Sequence, residues 1–146
     1  MRCEEIMTNS PKCCVPSDTV GRATKLMKLG DVGAVPVCED RQDRKLVGIV
    51  TDRDLVVNVM AEARDPNTTM VQDVMTREPF ACQADDDIEK AFDSMSLFQI
   101  RRIPVVGSGG ELIGIISQAD LAIRTGRPEK TAEVLSYVSI PAMRVA

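Results

Sequence analysis

The sequence predicts an α+β fold, α/β-like in its strand–helix alternation. It consists of two β-α-β-β-α units packed sheet to sheet about a pseudo-two-fold axis. Three observations carry that prediction. The chain matches itself: Ile6-Met7-Thr8 aligns with Val74-Met75-Thr76 at a shift of 68, which also pairs Pro11 with Pro79, Cys14 with Cys82, Asp18 with Asp86, Met27 with Met95 and Pro36 with Pro104. The stretch Leu46–Leu55, LVGIVTDRDL, returns at a shift of 66 as Leu112–Leu121, LIGIISQADL. Helical and strand periodicities follow one another in the same order in both copies. The two residues by which the shifts differ fall in EDRQDRK, a polar loop where length changes at little cost.

Each copy opens on a short apolar stretch after a proline, Cys13 to Val15 and Ala81 to Cys82, which reads as a brief strand. An amphipathic helix follows. In the first copy Asp18 is the expected cap, and Val20, Ala23, Leu26 and Met27 form the stripe; in the second, Asp86 with Glu89 makes an acidic capping box ahead of Ile88, Ala91, Phe92 and Met95. Two strands joined by a polar turn come next: Val35 to Cys38 with Leu46 to Val50, and Ile103 to Val106 with Leu112 to Ile116. Gly107-Ser108-Gly109-Gly110 is a hairpin signal. A closing helix runs from Asp52 to about Ala63, and from Gln118 to about Thr125. A unit of about 50 residues cannot bury a sheet face alone, so the two copies are expected to share a core. The copies divide as 1–66 and 67–126, with Arg64 to Thr68 as a polar linker. A tail, 127–146, holds one helix signal, Lys130 to Val138, ended by Pro141. The tail extends the pair, caps it or forms a contact.

Composition narrows the function. Of 146 residues, 44% are hydrophobic and 3% aromatic, which predicts an aliphatic core. The net charge of −4 argues against nucleic acid as a partner. No apolar run reaches membrane-spanning length and MRCEEIMT lacks a signal-peptide core, so the expected location is cytoplasmic with no membrane partner. There is no histidine, which removes the commonest general base, and no nucleophile–base pair or paired catalytic carboxylates can be assembled; an enzyme is not expected. The five cysteines have no C-x-x-C spacing and announce no metal site. They read as reduced, mostly buried thiols, with redox sensing at the adjacent Cys13-Cys14 as a second reading.

The chemistry concentrates where each apolar run ends. Thr51 and Ser117 stand where a strand turns into a helix, and Asp54 and Asp120 follow three residues later. A strand feeding a helix N-terminus aims free N–H groups and the positive dipole end at one spot, which favours anions. The same [ST]-x-x-[DE] spacing is also a capping motif, so both quartets have a purely structural reading.

IMT…P, GAVPV and RRIPV, and GIVTDRDL with GIISQADL together resemble the CBS domain, named after cystathionine β-synthase, in its tandem, stand-alone form known as a Bateman module. The resemblance covers about Glu5 to Thr125. It implies two clefts between the paired repeats that in many members bind adenosine compounds, with the aspartate on the ribose hydroxyls and the Thr or Ser near the phosphate. In one cleft these are Thr51 and Asp54, in the other Ser117 and Asp120. A carboxylate does suit a cis-diol, and a capped helix start suits phosphate.

Under the same resemblance Arg101 and Arg102 serve the phosphates of the Asp54 cleft, while their counterparts Gly33 and Ala34 bring no cation to the Asp120 cleft, which borrows Arg53 and Lys12. One stronger and one weaker site are expected. A solvated face or a surface ion pair is the other reading of the two arginines. Wall candidates are Ile49, Phe80, Ala81, Ile100 and Pro104 in the first cleft, and Cys13, Val32, Pro36 and Ile115 in the second; taken singly, each also suits plain core packing. No cofactor is required. Candidate ligands are AMP, ADP and ATP, with NAD and S-adenosylmethionine ranked behind them. The expected output is a homodimer, through faces around Leu26, Leu29, Leu97 and Phe98, or a regulated partner protein. The alternative is a ligand-free interaction scaffold.

Overall fold

The computed structural model describes residues 1–141, and its helix–strand–strand–helix order repeats as the sequence predicts. A short helix α1, Cys3–Ile6, leads to strand β1, Thr8–Asn9; helix α2, Val20–Gly30, is followed by β2, Ala34–Cys38, and β3, Leu46–Thr51. Helix α3, Asp52–Leu55, continues directly as a π-helical turn, Val56–Met60. After a 3-10 turn at Val71–Asp73 come β4, Thr76–Arg77, β5, Cys82–Gln83, and α4, Ile88–Phe98. Strands β6, Arg102–Val106, and β7, Leu112–Ser117, then helices α5, Gln118–Arg124, and α6, Pro128–Val138, complete the chain. Among the described residues no helix is long and apolar enough to cross a membrane.

Two compact units form, and they interleave the sequence copies. One comprises 1–9, 80–106 and the described residues from 113 onward; the other comprises 10–79 and 107–112. In the first, the sheet order is β1-β7-β6-β5: β1 pairs antiparallel with β7, Thr8 opposite Ile115, and β5 pairs parallel with β6. Its core gathers Cys3, Ile6, Cys82, Phe92, Met95, Ile103, Ile116 and Leu121 beneath α4, with Val134 and Val138 of α6 closing it. The tail signal is thus a helix packed into a core, beginning at Pro128 because proline at a first-turn position needs no N–H partner.

In the second unit the order is β2-β3-β4, with Pro36 opposite Ile49 and Ile49 opposite Thr76; Cys14 adds a single parallel bridge to Val37. Its core is Cys14, Val20, Ala23, Val35, Val37, Val50, Val59 and Val71. The expected strand at Cys13–Val15 is therefore reduced to one bridge. The segment carrying Ile6-Met7-Thr8 closes the sheet of the later copy, and the one carrying Val74-Met75-Thr76 closes the sheet of the earlier copy. The polar turn 107–112 belongs to the second unit, where Leu112 N–H donates to the Arg44 carbonyl at 2.8 Å.

Both expected helix caps shift by one residue. Thr19, not Asp18, caps α2 and accepts from Arg22 N–H; Asp87, not Asp86 with Glu89, caps α4 and accepts from Glu89 N–H. Asp18 and Asp86 instead close the preceding turns, accepting from Val15 N–H at 2.9 Å and Gln83 N–H at 2.7 Å. Each then takes a cation four residues on: Arg22 at 3.5 Å and Lys90 at 2.7 Å. Two adjacent acceptors were available, and the turn claimed the first. The closing helix of the earlier copy also departs from expectation. It is α-helical only to Leu55, after which Ala61 N–H donates to Val56 O and Arg64 N–H to Val59 O, the wider i→i+5 spacing.

Candidate functional site

The sixteen site candidates divide between the units. Thr51, Asp54, Ile49, Arg53, Lys12, Cys13 and Pro36 lie in the second unit, and Ser117, Asp120, Ile115, Phe80, Ala81, Ile100, Arg101, Arg102 and Pro104 in the first. In the second unit β3 alternates: Val50 is buried in the core, while Ile49 and Thr51 lie on the other, half-buried face. Pro36 faces Ile49 across the ladder, so two wall candidates assigned to different clefts are neighbours in one sheet. Asp52 N–H donates to the Gly33 carbonyl at 2.9 Å and seats the start of α3 against the end of the neighbouring strand.

There Thr51 and Asp54 close a capping box. Thr51 N–H donates to Asp54 Oδ2 at 2.9 Å, and Asp54 N–H donates to Thr51 Oγ1 at 3.1 Å. Both residues are half-buried, and among the described residues Asp54 Oδ1 accepts no hydrogen bond and meets no cation. Arg53 and Lys12 are exposed and Cys13 is half-buried.

The equivalent place in the first unit is built alike but committed differently. Ser117 N–H donates to Asp120 Oδ2 at 2.8 Å, Ser117 Oγ donates to the same oxygen at 2.9 Å, and Asp120 N–H returns a bond to Ser117 Oγ at 3.1 Å. The other oxygen, Oδ1, faces Arg124 Nε at 3.5 Å. Gln118 N–H donates to the Arg101 carbonyl at 2.9 Å, the counterpart of the Asp52–Gly33 bond, so the Arg101 backbone abuts the start of α5. The Arg101 residue is exposed and Arg102 half-buried. Beside Ser117, the buried Gln118 Oε1 has no partner among the described residues, a feature the sequence did not announce.

The wall candidates resolve more toward packing. Phe80 stacks on Phe98 with ring centroids 5.1 Å apart, and with Ile100 it packs against the core of the first unit. Pro104 and Pro36 are buried inside their strands, Ala81 and Ile115 are half-buried, and Val32 is exposed. Among the faces expected to meet another chain, Leu29, Leu97 and Phe98 are 77%, 75% and 51% exposed, whereas Leu26 packs against the core. Among the described residues no group of three or more His, Cys, Asp or Glu side chains is placed to hold a metal.

A duplicated α+β unit in which one strand, β3 or β7, runs into a hydroxyl–aspartate box defines a class of small paired modules. The CBS domain family model matches this chain twice, at residues 3–61 and 71–124, and the chain belongs to that family as a tandem pair. It is 36% identical over 136 residues to the uncharacterized protein YlbB of Bacillus subtilis, covering 93% of this chain and 90% of that protein. It is 34% identical over 118 residues to hypoxic response protein 1 of Mycobacterium tuberculosis, covering 81% and 80%. The crystal structure of a hypoxic response protein I with two coordinated zinc ions superposes with a TM-score of 0.76 at 31% identity, over 85% of this chain and 98% of that one. The crystal structure of CBSX2 in complex with AMP superposes with a TM-score of 0.71 at 27% identity, over 83% and 93%.

Proposed function

We propose that this chain is a regulatory, non-catalytic module that binds an adenosine-containing nucleotide of the AMP, ADP or ATP kind and passes the change on through a homodimer or a regulated partner. In this reading Asp54 takes the ribose hydroxyls, and Thr51 and the amides at the start of α3 favour phosphate. The observation that carries it is the divided Asp54 carboxylate. One oxygen holds the cap and the other is uncommitted among the described residues, whereas both oxygens of Asp120 are engaged. A ribose diol needs an accepting oxygen with a free lone pair, and Asp54 has one. The AMP complex of the CBSX2 relative supports the ligand class. Exposed Leu29, Leu97 and Phe98 support association with another chain.

The test is a calorimetric and thermal-shift titration with AMP, ADP, ATP, NAD and S-adenosylmethionine. A true ligand at one hundred times its dissociation constant stabilises the chain by about 2.7 kcal/mol. Asp54→Asn is expected to abolish that stabilisation and Asp120→Asn to weaken it by less. If none of the five ligands shifts the transition, the chain is an interaction scaffold; if both variants bind like the parent, the site assignment is wrong.

A further inference from the structure

The five cysteines are all free thiols, and four of them meet in pairs that no C-x-x-C spacing announces: Cys3 with Cys82 in the first unit, Cys13 with Cys38 in the second. The second pair follows from the parallel bridge. Cys14 N–H donates to the Pro36 carbonyl at 3.0 Å, and Cys38 N–H donates back to the Cys14 carbonyl at 2.8 Å. Cys13 and Cys38 therefore flank the bridge on neighbouring segments, beside the Cys14 and Val37 side chains that enter the core. Adjacent Cys14 turns into the core instead, where burial pushes its thiol up to about 11.

The two pairs differ in access and charge. Cys3 and Cys82 are both 0% exposed. Their nearest cation, Lys90, is already bound to Asp86. Cys13 is half-buried while Cys38 is 0% exposed. Arg44 is anchored beside Cys13 by donating to the Pro11 carbonyl at 2.7 Å, and Arg41 reaches the same corner on Asp18 at 2.6 Å. The Cys38 S–H bond lowers the Cys13 thiol to about 6, burial opposing it and Arg44 and Arg41 adding to the effect, while Asp18 works the other way. Cys38, which keeps its proton to make that bond, is raised.

We propose that Cys13 and Cys38 are a peroxide-oxidised dithiol, Cys13 the attacking sulfur and Cys38 the resolving one. The Cys13 thiolate attacks one oxygen of hydrogen peroxide and breaks the O–O bond, becoming a sulfenic acid; the hydroxide released takes the Cys38 proton and leaves as water. The Cys38 thiolate then attacks the Cys13 sulfur, the S–S bond forms, and the departing hydroxide takes a proton from solvent as the second water. Two electrons pass from the two sulfurs to one peroxide. The bridge ties the segment ahead of α2 to strand β2, and a dithiol reductant reverses it.

The experiment treats the purified full chain with hydrogen peroxide, alkylates remaining thiols and maps the peptides by mass spectrometry. The expected product is one intrachain Cys13–Cys38 bridge, two hydrogens lighter, with Cys3 and Cys82 still alkylated only after unfolding. The alkylation rate of native Cys13 should rise with pH about a midpoint near 6, on the order of tenfold faster at neutral pH than in the unfolded chain. In Cys38→Ser, Cys13 should stop at a sulfenic acid that dimedone traps; the mapping on the parent chain stands whether or not that variant folds. A Cys13–Cys14 or Cys3–Cys82 bridge, bridges only between chains, or native Cys13 labelling no faster than in the unfolded chain overturns the proposal.

Discussion

Asp54 Oδ2 receives the Thr51 amide and Oδ1 receives nothing among the described residues, so one side chain holds separable structural and binding capacities. Substitutions can divide them. Asp54→Ala removes the cap acceptor and is expected to cost about 1 kcal/mol of stability. Asp54→Asn keeps one accepting oxygen for the Thr51 amide and presents an NH2 group outward, so its urea midpoint should match the parent while the nucleotide-induced shift is lost. The capping reading and the ligand reading of this quartet, equally legible in the sequence, thus come apart in one pair of measurements. Asp86 carries a different residue-scale consequence. Burial works against its charge, but the Lys90 ion pair and the Gln83 amide outweigh it and hold its carboxyl below the usual range. A depressed carboxylate stabilises the fold above its unfolded pKa, and that contribution is lost as pH falls through the lower folded value. Lys90→Met should therefore lower the urea midpoint slightly at pH 7, since the lysine is largely solvated. The difference should start to shrink at about pH 4 and close below the lowered folded value. Equal gaps at both pH values would dissociate the shift from Lys90.

The elements are joined by close approaches that glycine permits. A Cβ placed on Gly48 would lie 2.7 Å from Met75 Sδ and 2.9 Å from the Thr76 carbonyl oxygen. The methionine can swing away, but the carbonyl belongs to β4 and cannot move without breaking the pairing with β3. Gly48→Ala is expected to cost about 1–3 kcal/mol. Gly30→Ala, at the end of α2 where the added Cβ meets only Val32 at 3.5 Å, should be neutral or stabilising by about 0.5 kcal/mol. Denaturant midpoints of the two variants check the contrast, and equal effects would remove the close-approach argument. At this scale the sequence was a good guide to strands and helix bodies, because alternation in β3 and β7 and the stripes of α2 and α4 are set by burial. It misplaced the starts of α2 and α4 because Asp18-Thr19 and Asp86-Asp87 each offer two acceptors one residue apart, and composition does not say which one the preceding turn engages. The π-helical turn at Val56–Met60 was equally hidden: Val59 alone enters the core there, so the residue pattern holds no stripe to distinguish one helical period from another.

At the scale of the whole molecule, the repeat was legible and its closure was not. A shift of 68 equates Ile6-Met7-Thr8 with Val74-Met75-Thr76. The equation holds whether each segment joins its own copy or the other one, because both sheets present the same glycine-notched strand. Paired thiols such as Cys13 and Cys38 were hidden for a related reason, since they meet through a bridge whose register no spacing encodes. The crossed arrangement makes the first nine residues part of the unit that holds the later copy. Cys3, Ile6 and Met7 are 0%, 2% and 9% exposed in its core, and Cys3 N–H and Glu4 N–H donate to Asp86 and Ala84 carbonyls. Burial of side chains of this size is worth about 1.5–3 kcal/mol for each large one, against a total of roughly 5–15 kcal/mol for a domain. Deleting Met1–Asn9 is therefore expected to lower the melting temperature by on the order of 10 °C. Hydrogen exchange supplies the sharper reading. If β1 completes the β7 sheet, amides in Arg102–Val106 and Leu112–Ser117 should lose protection first on deletion while Ala34–Cys38 and Leu46–Thr51 keep theirs. Loss confined to the latter pair would mean that the leading segment closes its own copy, and the crossed topology would be wrong.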